Sequence, residues 1–236
     1  MWLGAWAWRS VTSALRAAGH DVYPVTLTGV GDRAHLARPD LDPSTHVTDI
    51  VKTIEYADLT DVVLVGHSYG GMPVRTALDV LGGRVARAVY VDSGPLPDGM
   101  SQFSTNPPDA QAAILEQVGD GYLLPPPTWR TGDDPVNLAG LDGPALELLR
   151  RLSTPHPFMT ATEAVRLTGA PQPPTTLVTC TIPIEQVRAM MAENHPFFAG
   201  VQRDDLDVVG LPTGHWPMLS EPKALADILA GISPRS

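Results

Sequence analysis

One hexapeptide constrains this chain more than any other feature. Gly66-His67-Ser68-Tyr69-Gly70-Gly71 stands directly after a continuous apolar run, Val62–Val65, and directly before a helical stretch over 70–81 that stops at Gly82-Gly83. An apolar run without alternation is the pattern of a strand buried on both faces, as in a parallel sheet covered by helices on either side. The hexapeptide must then carry the chain from strand to helix in one sharp turn. Such a turn lifts the serine Oγ above the sheet edge and leaves no room for side chains at the flanking glycines. It also puts the Tyr69 N–H at a helix N-terminus, aimed where an oxyanion would form. A bare Gly-x-Ser-x-Gly arises by chance; the strand before and the helix after make this one specific.

The rest of the chain keeps the same rhythm. Trp6–Ala18 reads as a helix with Trp8, Val11 and Leu15 at helical spacing and Gly19 as its stop. Asp21–Leu27 reads as a strand, with Pro24 placing it near a sheet edge. After a polar loop, Ser44 caps a helix whose apolar face is Val47, Ile50, Val51 and Ile54. Further strands are expected at Ala86–Val91, Thr176–Thr179 and Leu206–Val209, with helices near 184–193 and 222–231. This alternation predicts an α/β fold built on a mostly parallel, doubly wound sheet. Its 236 residues suit one domain, 1–236. The stretch from Ser93 to Thr175 breaks the rhythm with Pro107, Pro108, Pro125–Pro127 and a helical segment near Pro144–Leu152. So long an insertion before the last two strands reads as a helical cap, over about 97–172.

Composition removes several function classes. A formal charge of −10 argues against nucleic acid as a partner. The longest uncharged run, Leu167–Ile184, carries Pro171, Pro173, Pro174 and Pro183 and would break a membrane-spanning helix. The N-terminus lacks the pattern of a signal peptide, and the single cysteine, Cys180, rules out an internal disulfide framework; both fit a cytoplasmic protein without a membrane partner. His20, His35, His46, His156 and His195 have no partners at metal-ligand spacing, so no metal is expected. Assembly as a homodimer stays open.

A nucleophilic serine needs a base. Among seven histidines, His215 is the best placed, in Leu211-Pro212-Thr213-Gly214-His215-Trp216 between the last expected strand and the last helix. That loop opens at the C-terminal edge of the sheet, the edge that carries Ser68. His67 adjoins the serine, but on a strained turn its ring is expected to point away from Oγ.

Taken together, Gly4-Ala5-Trp6-x-Trp8, the Gly66–Gly71 turn, Val91-Asp92 to Pro97 and Gly214-His215 resemble the α/β-hydrolase superfamily, nearest its small-esterase branch of plant methylesterases and hydroxynitrile lyases. The resemblance implies acyl transfer from a small-molecule ester without a cofactor. Ser68 would be the nucleophile and His215 the general base and then acid. For the third member two positions compete, and Asp92 is preferred because it ends a strand beside the serine strand, on the edge where His215 arrives. In many members the acid follows the next-to-last strand, and the matching position here is Val187, with Glu185 the nearest carboxylate. Glu185 also suits a first helical turn, where it needs no catalytic role. Some relatives place the acid after the strand that follows the serine helix, where Asp92 stands; Asp92 before Ser93-Gly94-Pro95 could equally form an Asx-turn.

Relatives begin with an apolar strand ending in His-Gly, which supplies a second oxyanion N–H. This sequence opens at Met1-Trp2-Leu3-Gly4, so that donor position falls near Met1 and the interior strand is missing. Its place lies between Asp21–Leu27 and Val62–Val65, a gap of about 9.6 Å that no backbone hydrogen bond closes. Three readings follow: a longer natural chain, whose coding DNA continues in frame upstream of Met1; an Asp21 strand that slides inward; or an altered fold. The expected activity is hydrolysis of carboxylic esters of small to medium apolar substrates. Tyr122, Trp129 and Phe158 in the insertion suit an apolar pocket or ordinary core. The rivals are a ligand-binding protein without catalysis and a hydroxynitrile lyase-like enzyme. The latter needs a lysine over the leaving group, and Lys52 and Lys223 both lie outside the expected site loops.

Overall fold

Four apolar segments pair side by side and set the frame on which everything else hangs. The structure, a computed structural model, describes residues 1–198 and 205–232. In chain order the helices α1 (Arg9–Ala17) and α2 (Pro43–Tyr56) precede β1 (Val62–His67), α3 (Gly71–Leu81) and β2 (Val85–Val91). Then come α4 (Pro108–Val118), β3 (Leu123–Leu124), α5 (Gly143–Leu152), β4 (His156–Pro157) and α6 (Met159–Thr162). The chain closes through β5 (Thr175–Thr179), α7 (Ile184–Ala192), β6 (Leu206–Gly210), α8 (Pro217–Ser220) and α9 (Pro222–Gly231). The main sheet has the order β1-β2-β5-β6, all parallel. Parallel neighbours need crossovers: α3 lies between β1 and β2, α7 between β5 and β6, and the insertion carries the chain from β2 to β5.

Helices cover both faces, which is why the strands read as apolar runs. Val47, Ile50, Val51 and Ile54 of α2 pack with Val74, Ala77 and Leu78 of α3 against Ala88, Tyr90 and Leu177. On the opposite face Val11 of α1 and Leu225, Ala226 and Leu229 of α9 meet Val89, Val91 and Val178. Each fully buried aliphatic side chain contributes about 1.5–3 kcal/mol. The insertion between β2 and β5 has its own small antiparallel ladder, β3 with β4, beside its helices.

Two expectations are corrected and one is refined. Asp21–Leu27 forms no strand. Among the described residues β1 pairs only with β2, so this segment has no neighbouring ladder to join. Its backbone groups turn to side chains instead: the Val22 carbonyl accepts from Arg16 Nη2 and the Thr26 carbonyl from Arg33 Nη1. β1 packs on both faces, Val63 and Val65 on one and Val62 and Leu64 on the other, but as an edge strand it is only half-buried except at Gly66. Helix α2 starts before Ser44. Asp42 is its cap, accepting from the Thr45 N–H, and Pro43 takes the first helical position, where its missing N–H does no harm.

Candidate active site

The turn after β1 is tight because two glycines let it be. A Cβ on Gly66 would lie 2.8 Å from the Gly70 carbonyl oxygen, and one on Gly71 would fall on Ser93 Oγ. Between them Ser68 sits at φ 51°, in the left-handed region that a residue with a side chain adopts only at a cost of roughly 1–2 kcal/mol. Ser93, just beyond the neighbouring strand β2, braces the turn by donating to the Ser68 carbonyl at 2.7 Å. Tyr69 follows Ser68 at the start of the helical run, where backbone N–H groups lack partners inside the helix.

Three segments distant in sequence meet at Ser68. His215 Nε2 lies 2.8 Å from Ser68 Oγ, and His215 Nδ1 lies 2.6 Å from Asp92 Oδ2. A carboxylate only accepts, so Nδ1 carries the hydrogen and Nε2 is left to accept the serine proton. Asp92 stands one residue past β2 at φ 43°, which aims its carboxyl across the sheet edge. Its Oδ1 accepts from the Cys180 and Thr181 N–H groups, each at 3.0 Å, and the Thr181 hydroxyl reaches Oδ2 at 2.9 Å. Burial pushes this carboxyl up, but the hydrogen bond and charge of His215 and the Thr181 and Cys180 N–H groups outweigh it and hold it at about 2. The His215 loop is pinned by the insertion: the Gly214 N–H donates to the Ala139 carbonyl at 3.1 Å and the His215 N–H to the Asn137 carbonyl at 2.8 Å. A Cβ on Gly214 would fall on the Asn137 carbonyl oxygen, so the two backbones touch.

The other candidates lie elsewhere. Glu185 is exposed in the first turn of α7, and Val187 is buried in the core. Met1 packs beside Tyr69, Met72 and Leu96, next to the serine turn. Lys52 pairs with Glu55 and Lys223 with Asp227, both on exposed helix surfaces. Trp129 is core: it packs edge-on against Trp216 and Trp2, and its Nε1 donates to Ser153 Oγ. Tyr122 and Phe158 are half-buried, the latter edge-to-face with Phe103 at 5.4 Å. Burial and the Asp92 charge push the Cys180 thiol up to about 12, which leaves it an inert thiol. No group of side chains among the described residues has the makings of a metal site, and no described helix is long and apolar enough to cross a membrane.

A family model described as the alpha/beta hydrolase family matches residues 1–228. The chain belongs to the alpha/beta hydrolase family. It is 38% identical over 121 residues to the Carbendazim hydrolyzing esterase of Nocardioides sp. (strain SG-4G), covering 51% of this chain and 50% of that one. To Methylesterase 9 of Arabidopsis thaliana it is 29% identical over 173 residues, covering 71% and 64%. The chain thus spans about half the length of the carbendazim esterase that it matches. Among solved structures, an extracellular alpha/beta-hydrolase from a Paenibacillus species superposes with a TM-score of 0.79 at 20% identity, over 99% of this chain and 96% of that one. That protein is described as sharing structural and functional homology with tobacco salicylic acid binding protein 2.

Three further histidines of this alpha/beta hydrolase surround the serine turn, and the sequence reading gave none of them a place. His67 Nε2 donates to the His215 carbonyl at 2.5 Å, and its ring lies 4.7 Å from the His215 ring and 5.3 Å from Trp216. The rings around it remove enough water to hold His67 well below its ordinary 6.5, and the His215 charge pushes the same way. On the far side of Tyr69, His46 and His156 are buried. His46 Nε2 donates to the Thr28 carbonyl at 2.8 Å, so its Nδ1 accepts from the Tyr69 hydroxyl at 2.6 Å. The Thr160 hydroxyl donates to the Pro157 carbonyl at 2.7 Å and accepts from His156 Nε2 at 2.9 Å. His156 Nδ1 is buried without a partner. A signal for His46 was present: it precedes Val47 and stands four residues before Ile50 on the apolar face of α2, where a polar side chain must find partners.

Proposed function

We propose that this chain is a serine hydrolase of carboxylic esters, with Ser68 as nucleophile, His215 as general base and then acid, and Asp92 as the triad acid. The observation that carries the reading is the continuous chain of hydrogen bonds, Ser68 Oγ to His215 Nε2 at 2.8 Å and His215 Nδ1 to Asp92 Oδ2 at 2.6 Å. Ser68 passes its proton to Nε2 as Oγ attacks the ester carbonyl. Asp92, ionised at any pH well above 2, fixes the tautomer and stabilises the imidazolium that results. The oxyanion is received by the Tyr69 N–H at the head of the helical run, with the second donor in the region of Met1. His215 then protonates the departing alkoxide, and water, activated by the same histidine, releases the acid from the acyl-enzyme.

The esterase relatives support this class of substrate, and the half-buried Phe103, Tyr122 and Phe158 suit an ester of small to medium apolar groups. Both lysines are engaged on the surface, which disfavours lyase chemistry with a lysine over the leaving group. The lone, buried Cys180 fits residence in the cytoplasm. The test is covalent labelling. A fluorophosphonate should add once per chain, at Ser68, and the label should vanish in Ser68→Ala. Absence of label in folded protein would turn the reading to a ligand-binding protein.

A further inference from the structure

Resting on that reading, we propose that His67 is a positioning residue: it clamps the backbone of His215 so that the imidazole faces Ser68 and Asp92 at once. A carbonyl oxygen only accepts, so the 2.5 Å contact makes His67 Nε2 the donor and the His215 carbonyl the acceptor, between residues 148 positions apart. The other backbone group of His215 is also taken, its N–H by the Asn137 carbonyl at 2.8 Å. With both peptide groups fixed, the side chain has little freedom left, and its two nitrogens fall at 2.6 Å and 2.8 Å from their partners.

The clamp is also economical in its placement. His67 and Ser68 are consecutive, one ending β1 and the other starting the turn. A single strand end therefore delivers both the nucleophile and the hold on its base, so a shift of β1 carries the two together. The packing of His67 against Trp216 and His215 keeps its ring neutral, and a neutral ring does not repel the charge that His215 acquires when it takes the serine proton. The simpler alternative is that His67 only satisfies a carbonyl near the surface of the core.

Three substitutions separate these roles. His67→Leu should lower kcat for an aryl ester about tenfold to a hundredfold, the scale of a misplacement near 1 Å, while KM stays within about twofold. His67→Gln, whose amide nitrogen reaches where the ring Nε2 stood, should restore most of kcat, whereas the shorter His67→Asn should not. The far-downfield NMR line of the His215 Nδ1 proton should broaden in the Leu and Asn variants and return in Gln. Unchanged kcat in folded His67→Leu overturns the proposal. So do equal losses in Gln and Asn, a comparison that also decides the matter if the Leu variant does not fold. Ser68→Ala in the same assay keeps the two readings apart. Turnover that survives it removes the hydrolase assignment, whereas Ser68-dependent turnover indifferent to residue 67 removes only the clamp.

Discussion

Two groups of histidines flank the serine turn, and the chief difference between them is a carboxylate. On one side His215, held by His67, meets Asp92 directly. On the other, His46 and His156 pack against each other and against Tyr69, and among the described residues their side-chain hydrogen bonds run only to hydroxyls and a backbone carbonyl. Asp49 comes near His46, but its oxygens are taken by Thr28 and Arg33. A buried imidazole without a carboxylate partner stays neutral, because burial disfavours the charged form. In the proposed mechanism the first group passes a proton, while the second is a hydrogen-bonded frame behind Tyr69.

Removing the atoms that make the first group different should have the largest effects. Ser68→Ala should lower kcat for an aryl ester on the order of 10⁴-fold or more with the fold intact by circular dichroism. Asp92→Asn keeps the shape but favours the wrong tautomer, for a loss near 10⁴-fold at neutral pH; full activity in this variant would show that Asp92 is a turn residue. In the second group the damage should move from rate to stability. His46→Leu leaves the Thr28 carbonyl buried without its partner and the Tyr69 hydroxyl with only the Thr160 carbonyl, a loss of about 1–3 kcal/mol in urea unfolding, with kcat within a few-fold. A large fall in kcat without a fall in stability would erase the distinction between the groups.

Acid should also tell the groups apart. Burial holds His46 and His156 below their ordinary 6.5, so the unfolded chain takes up these protons first. Their contribution is complete above about pH 6.5 and is lost as pH falls toward the folded values; His67 acts in the same sense. Asp92, depressed to about 2, contributes above its unfolded value of 3.8 and loses that contribution as pH falls from there toward 2. The urea midpoint should therefore drop between pH 7 and pH 5, before Asp92 is involved, and His156→Gln should make the drop shallower. A drop of equal steepness in that variant would count against the frame. The smallest effect expected is that of Glu185→Gln, a few tenths of a kcal/mol of helix stability with little change in turnover.

The parts of the fold legible in the sequence are those where burial alone writes the pattern. β2 and β5 are buried nearly throughout and read as strands rich in β-branched and apolar residues, with Arg87 the one charge inside them, and α3 announces itself between paired glycines. Asp21–Leu27 has the residues of an edge strand, but its sequence does not say whether a neighbouring strand is there to pair with, and among the described residues none is. The α2 boundary slipped because Asp42-Pro43 and Ser44 both satisfy a capping rule, and only the Thr45 N–H decides between them. At the site, chain order alone places Ser68 and His215 on one edge and favours Asp92, at a strand end on that edge, over Glu185; in the fold Asp92 is the carboxylate within reach of His215. His67 was set aside because the reading asked only whether its ring could reach Oγ. Its partner is a backbone carbonyl, and no side-chain motif records that.

The contact between the Gly214-His215 backbone and residues 137–139 bears on how such a protein can diversify. Insertions between sheet strands are attractive cassettes for grafting, since new walls over an old nucleophile promise new selectivity. Here the cassette also holds the loop that carries His215: Asn137 and Ala139 accept from that loop's own N–H groups, and the fit leaves no room for a Cβ on Gly214. An exchanged insertion would have to bring two carbonyls to the same place or forfeit rate along with the old substrate. Changes made stepwise inside the insertion, away from the 137–139 corner, are open to this scaffold, and wholesale replacement is not.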